Sequence, residues 1–68
     1  MTTSEFIKQQ LSILGISQYR LAKLSGISNP LINAYCKGTS EPNINNFKAI
    51  VQALNIHQND LKNFIYEN

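Results

Sequence analysis

With 68 residues the chain has room for one domain and lies near the lower limit for a core without staples, which excludes a multi-domain enzyme. Apolar residues make up 43% and charged residues 15%, a balance that predicts folding and excludes disorder. Six Lys and Arg against four Asp and Glu leave a net charge of +2, too little to choose between a polyanionic partner and a plain solvated basic surface. Cys36 is the only cysteine and His57 the only histidine, so there is no internal disulfide and no zinc-ligand spacing; neither metal nor cofactor is expected, and packed helices must supply the stability. No apolar run approaches the roughly 20 residues that span a bilayer, and the opening MTTSEF lacks the basic start and apolar stretch of a secretion signal. The expectation is a cytoplasmic chain with no membrane partner.

Helix start and stop signals then recur along the whole sequence and predict five helices. Thr2 and Glu5 have capping-box spacing, Phe6, Ile7, Leu11 and Leu14 form one stripe, and Gly15 is a natural stop. Ser17 caps a short second helix with Leu21, Ala22 and Leu24 inward, ending before Gly26. Ser28 caps a third, with Asn29 and Pro30 in its first turn, where a missing proline N–H costs little, and Gly38 closes it. Thr39 to Asn43 is a loop, because Pro42 disfavours helical geometry at Glu41 and Asn43 offers a further cap. The fourth helix runs to about Leu54, with Ile44, Phe47, Ile50, Val51 and Leu54 inward and Asn55 as a left-handed terminator. A fifth, roughly Gln58 to Tyr66, carries Leu61, Phe64 and Ile65, with His57 just ahead of it. No alternation of β-branched and polar residues predicts a strand, so the fold class is all-α.

Helices two and three are joined by only Ser25 to Ser28, with Gly26 where the chain turns sharply, which is helix-turn-helix spacing. The segment SQYRLAKLSGISNPLINAYCKG, residues 17–38, resembles the Cro/repressor type of helix-turn-helix found in small phage and bacterial regulators. Gln18, Leu21, Ala22, Gly26, Ile27, Ser28, Ile32 and Gly38 carry the match, and Pro42 and Ala53 to Ile56 continue it. The resemblance covers about residues 5 to 62 and implies one compact, five-helix, lambda-repressor-like DNA-binding domain over 1–68, with the third helix as the recognition helix.

Independently of that likeness, 100° steps around the third helix from Asn29 place Asn33 at about 40°, Lys37 at about 80° and Pro30 at about 100°, opposite Leu31, Tyr35 and Ile32. A helix about 10 to 12 Å across fits a B-DNA major groove, where asparagine can bond adenine N6 and N7 together. Asn29 and Asn33 are therefore the leading base-reading residues. Ser28 can touch a base or phosphate but is a useful cap either way, and Pro30 and Ala34 offer only apolar contact, as with a thymine methyl. Phosphates need a charge or a free N–H and sit at the periphery. The resemblance assigns Gln18 there, and Lys37, Thr39 and Asn43 lie at the far rim of the same face; Arg20 and Lys23 flank it on helix two as steering charges or ordinary surface. Between Lys8 and Gln58 five basic side chains meet one acid, a local charge of +4.

The sequence departs from the family pattern in two places. Relatives commonly pair an Arg late in helix one with a Glu near the end of helix three; here those positions are Leu11 and Cys36. Replacing both partners of a buried ion pair with apolar groups is often neutral, whereas losing one costs about 3 to 5 kcal/mol. Cys36 is thus expected to be a small buried hydrophobe. Pro30 stands where relatives often present a polar base-reading side chain, which removes one contact and makes a homodimer on two half-sites an attractive route to affinity. Leu61, Phe64, Ile65 and Tyr66 could form that dimer face, or the first three could close the core. The acids Glu5, Glu41, Asp60 and Glu67 are scattered without catalytic pairing, so an enzyme is not expected. The expected activity is sequence-specific binding of a double-stranded DNA operator by a transcriptional regulator, most simply a repressor with no small-molecule ligand. The rival is a protein-interaction module of the same fold, antirepressor-like or antitoxin-like.

Overall fold

The computed structural model describes the backbone of residues 1–67 and the side chains of residues 1–55. It contains four helices: α1 Thr3–Leu14, α2 Gln18–Ser25, α3 Asn29–Lys37 and α4 Ile44–Glu67, with no strand among the described residues. The boundaries follow from local chemistry. Thr2, Ser17 and Ser28 each turn a side-chain oxygen to the N–H three residues on, those of Glu5, Arg20 and Leu31, at 3.1, 3.0 and 3.3 Å. The Thr2 hydroxyl also donates to a Glu5 carboxylate oxygen at 3.2 Å. Asn43 Oδ1 does the same service for α4, accepting the Asn46 N–H at 2.8 Å.

The first three helices stop on glycines in the left-handed region, Gly15, Gly26 and Gly38. At Gly26 (φ +73°) the turn between α2 and α3 depends on it: a Cβ there would meet nothing within 4 Å, so the demand is for a backbone conformation that L side chains resist rather than for space. The Gly26 N–H returns to the Ala22 carbonyl at 3.0 Å, and the Ser25 hydroxyl accepts from the Ile27 N–H at 3.3 Å. Three residues, Gly26 to Ser28, thus reverse the chain between two helices.

The expected break between a fourth and a fifth helix is not present. Asn55 is not left-handed, since among the described residues only glycines have positive φ, and α4 continues through it and through His57 to Glu67. The physical reason is that Asn55 to Asp60 contains no proline or glycine; asparagine is a permissive stop, not an obligatory one, and a helix already propagating adds a bond per residue. The inward face of α4 also needs correction. Ile44 is 66% and Val51 39% exposed, while Ile50, Ala53 and Leu54 are buried. The roles assigned to the side chains of Leu61, Phe64, Ile65 and Tyr66 lie outside the described residues.

The core joins Ile7 and Leu11 of α1, Leu21 and Ala22 of α2, Ile27 of the turn, Ile32, Tyr35 and Cys36 of α3, and the buried trio of α4. Ile7, Leu21, Ile32 and Ile50 are fully enclosed, one from each helix, and each contributes about 1.5 to 3 kcal/mol by leaving water. Phe6 and Phe47 meet at a ring-centroid distance of 6.2 Å in a tilted pair that seals α1 against α4. Leu11 and Cys36 both lie in this apolar cluster, consistent with the absence of a charged pair there. Burial pushes the Cys36 thiol above its ordinary value, with Lys8 pulling weakly the other way. The folded state therefore holds that proton more tightly than the unfolded chain does. Its contribution to stability is complete below the unfolded thiol pKa of about 8.5 and is lost as pH rises through the raised folded value. Urea titrations at pH 8 and pH 9.5 should show a larger loss of stability for the native sequence than for Cys36→Ala, and equal losses would contradict the buried thiol.

Candidate nucleic-acid interface

The face that could meet a ligand is built on α3, a helix of nine residues held between the Ser28 cap and Gly38. Pro30 occupies its first turn, where the ring's fixed φ suits the helix and no intrahelical bond is lost. Its inner side is fixed by Ile32, Tyr35 and Cys36, all at 3% exposure or less. These three span angles of about 240° to 340° around the axis from Asn29, so the outward midline falls at about 110°. Pro30, Ala34 and Lys37 lie nearest that line, at about 100°, 140° and 80°.

The structure accordingly leaves Ser28, Asn29, Pro30 and Lys37 exposed, while Asn33 and Ala34 are half-buried on the two shoulders of the ridge. Asn29 is exposed although it lies closest in angle to the buried side, because as the first helical residue it has no preceding turn to cover it. Neither the Asn29 nor the Asn33 side-chain amide is engaged in a hydrogen bond with another described residue, so donor and acceptor remain free on both. Ser28 is committed to its cap through Leu31. It retains one O–H donor and one lone pair.

The rim residues occupy different surroundings. Gln18 is the half-buried first residue of α2, beside the free N–H groups of that helix start. Thr39 is exposed just past Gly38, and both its N–H and its hydroxyl donate to the Ala34 carbonyl, at 3.1 and 3.3 Å. Its hydroxyl is thereby turned back onto α3. Asn43 is exposed, with Oδ1 used by the α4 cap and its amide N–H groups free. Arg20 and Lys23 are exposed on α2, and the Lys23 ammonium rests 5.3 Å from the centre of the exposed Tyr19 ring, which ties that lysine to its own helix.

Two contacts that periodicity alone could not reveal hold the end of α3. Ser4 Oγ of α1 donates to the Cys36 carbonyl at 2.5 Å, satisfying one of the orphan acceptors at the helix C-terminus. Asn46 Nδ2 of α4 donates to the Tyr35 hydroxyl at 2.9 Å. Both link residues distant in the chain, and only the packing of α1 and α4 against α3 brings them together.

A ridge of this kind, amphipathic, capped, backed by apolar side chains and carrying free amide groups and a lysine, suits the width and donor/acceptor code of a major groove. Comparison with known proteins agrees. A helix-turn-helix family model matches residues 7–58, most of the chain and all of the segment from Ser17 to Gly38. No curated protein and no solved structure matches.

Proposed function

The chain belongs to the helix-turn-helix family, Cro/repressor type, and is a DNA-binding regulatory domain; from that premise we propose that it is a sequence-specific repressor that occupies a double-stranded operator with α3 in the major groove. Asn29 and Asn33 read base edges, Ser28 contributes its remaining donor, and Pro30 and Ala34 give apolar contact on the outward line of the ridge. Gln18, Lys37 and Asn43 take the flanking phosphates, and Thr39 joins them by releasing its hydroxyl from the Ala34 carbonyl. The observation that carries this reading is the free edge of α3: exposed Pro30 and Lys37 stand opposite a fully buried Ile32, with Asn29 exposed at the head of the helix.

No buried polar atom among the described side chains lacks a partner. With one lysine on the ridge, a single half-site should bind weakly, and two copies on an inverted repeat supply the rest through effective concentration. Selecting bound duplexes from a random pool tests the proposal. Recovery of an inverted repeat with half-sites about 10 base pairs apart, centre to centre, is the expected result, and recovery of no preferred sequence overturns it. Lys37→Ala should weaken binding to all duplexes and lower the salt slope by roughly one unit in a titration of ionic strength. An unaltered slope removes Lys37 from the phosphate contacts.

A second reading has one observation in its favour. Ile44, Phe47, Lys48, Val51 and Gln52 line an open groove of about 600 Å³ on α4, an apolar strip suited to a protein partner. Under that reading the chain is an interaction module with weak or no DNA binding. Its complex would be nearly insensitive to salt, where DNA binding falls steeply.

A further inference from the structure

We propose that Asn46 is a positioning residue for the recognition helix: by bonding the Tyr35 hydroxyl it sets the roll of α3, and by sharing a cap with Asn43 it couples that roll to the DNA backbone. This rests on the DNA-binding reading above and adds the means by which the ridge is aimed.

Two kinds of contact hold α3 in place. Its buried contacts, Ile32 above all, are apolar and non-directional; they bring the helix close but resist rotation about its axis only through shape. Directional ties are few. Among the described residues, the side-chain hydrogen bonds from other helices to α3 are Ser4 to the Cys36 carbonyl and Asn46 to the Tyr35 hydroxyl. The first grips the backbone close to the axis. The second grips the far end of a long, rigid side chain that is itself 3% exposed, and therefore has the greater leverage over the angle at which α3 presents its outer edge.

Asn46 is also tied at its backbone. Its N–H donates to Asn43 Oδ1 at 2.8 Å, so the start of α4 is defined by the same residue whose free amide N–H groups face solvent beside the interface. A phosphate accepting from Asn43 Nδ2 would fix the first turn of α4, and Asn46 carries that constraint to Tyr35 and on to the line of Pro30, Asn33 and Lys37. The relay consists of three residues and passes through both the backbone N–H and the side-chain amide of Asn46, with both of its hydrogen bonds at 2.9 Å or less.

The test uses the full chain and the duplex selected by the native protein, with Tyr35→Phe, Asn46→Ala and the double variant compared by fluorescence anisotropy. Each single change should weaken specific binding about three- to tenfold, the scale of one hydrogen bond. The double variant should bind no more weakly than the worse single, because one interaction is removed either way. Affinity for a duplex of unrelated sequence should fall by less than specific affinity does, since the phosphate contacts of Gln18 and Asn43 lie off α3 and only that of Lys37 moves with the ridge. Losses that multiply in the double variant, or an equal fall for unrelated DNA, would overturn the proposal, as would singles that leave specific binding unchanged.

Tyr35→Phe keeps the buried ring, so it remains informative if Asn46→Ala fails to fold. Should the native chain select no duplex at all, the DNA-binding reading fails by itself. Residual dipolar couplings of the free protein then decide the present question. A turn of α3 relative to α4 in Tyr35→Phe supports the positioning role, and an unchanged orientation refutes it.

Discussion

Ile32→Ala is expected to lower the thermal unfolding midpoint by about 10 to 30 °C. The side chain is fully buried and comes from the middle of α3, within the one apolar cluster to which every helix contributes. Deleting its outer carbons removes transfer free energy and leaves a void, together about 2 to 5 kcal/mol. A chain of this length has about 3 to 10 kcal/mol of stability in total, and each kcal/mol shifts the midpoint of so small a domain by about 4 to 8 °C. Circular dichroism during heating measures this directly. A fall of less than about 5 °C would mean that α3 is not bedded on the core as described.

Asn29→Ala is expected to cost about 1 to 3 kcal/mol in affinity for the selected duplex and to relax its preference at one base pair. A bidentate contact needs both polar atoms of the amide, and at Asn29 both are free and exposed at the head of the groove-facing ridge. Asn33→Ala should act in the same way at a neighbouring position, although its side chain is half-covered and has less freedom to adjust. Repeating the random-pool selection with each variant distinguishes base reading from a general loss of binding. If the recovered sequences do not change, the amides point at solvent and the assignment of those two residues is wrong.

The first three helices were legible because their limits are written in single residues. A hydroxyl three positions before an N–H and a glycine just past the last turn act within a few residues, and Thr2, Ser17, Ser28, Gly15, Gly26 and Gly38 each do as their chemistry implies. The last third of the chain was less legible for two physical reasons. Asn55 permits a stop without requiring one, and nothing local opposed continuation. On α4, moreover, the apolar residues fill a broad arc with a stripe along each edge, Ile44 and Val51 on one, Ile50 and Ala53 on the other, and Phe47 and Leu54 between them. Periodicity identifies both stripes and cannot say which one the core selects. The choice fell on the stripe containing Ala53, which lets α4 approach its neighbours closely, so that Ile44 and Val51 were left outside.

The candidate site divides in the same way. Exposure of Pro30 and Lys37 followed from angular position on one short helix, since Ile32 and Tyr35 had to face inward, while that of Asn29 comes from its place at the start of α3. The ties from Ser4 and Asn46 did not follow, because each depends on where a distant helix comes to rest. Cys36 lies between these cases. Its burial was implied by the simultaneous loss of both charged partners, while the displacement of its thiol equilibrium needed the packed core.

Punctuation of the chain by caps and glycines also governs how quickly the molecule assembles. Caps and glycines bias where each of the first three helices begins and ends, while helices of 8 to 12 residues persist only once their apolar faces are packed. The turns that join them are only a few residues long, and closing short loops carries a small entropic penalty. The principal packing pairs, α1 with α3 and α2 with α4, each skip one helix, so those short turns must close before the core can form, on the microsecond-to-millisecond scale of helical domains.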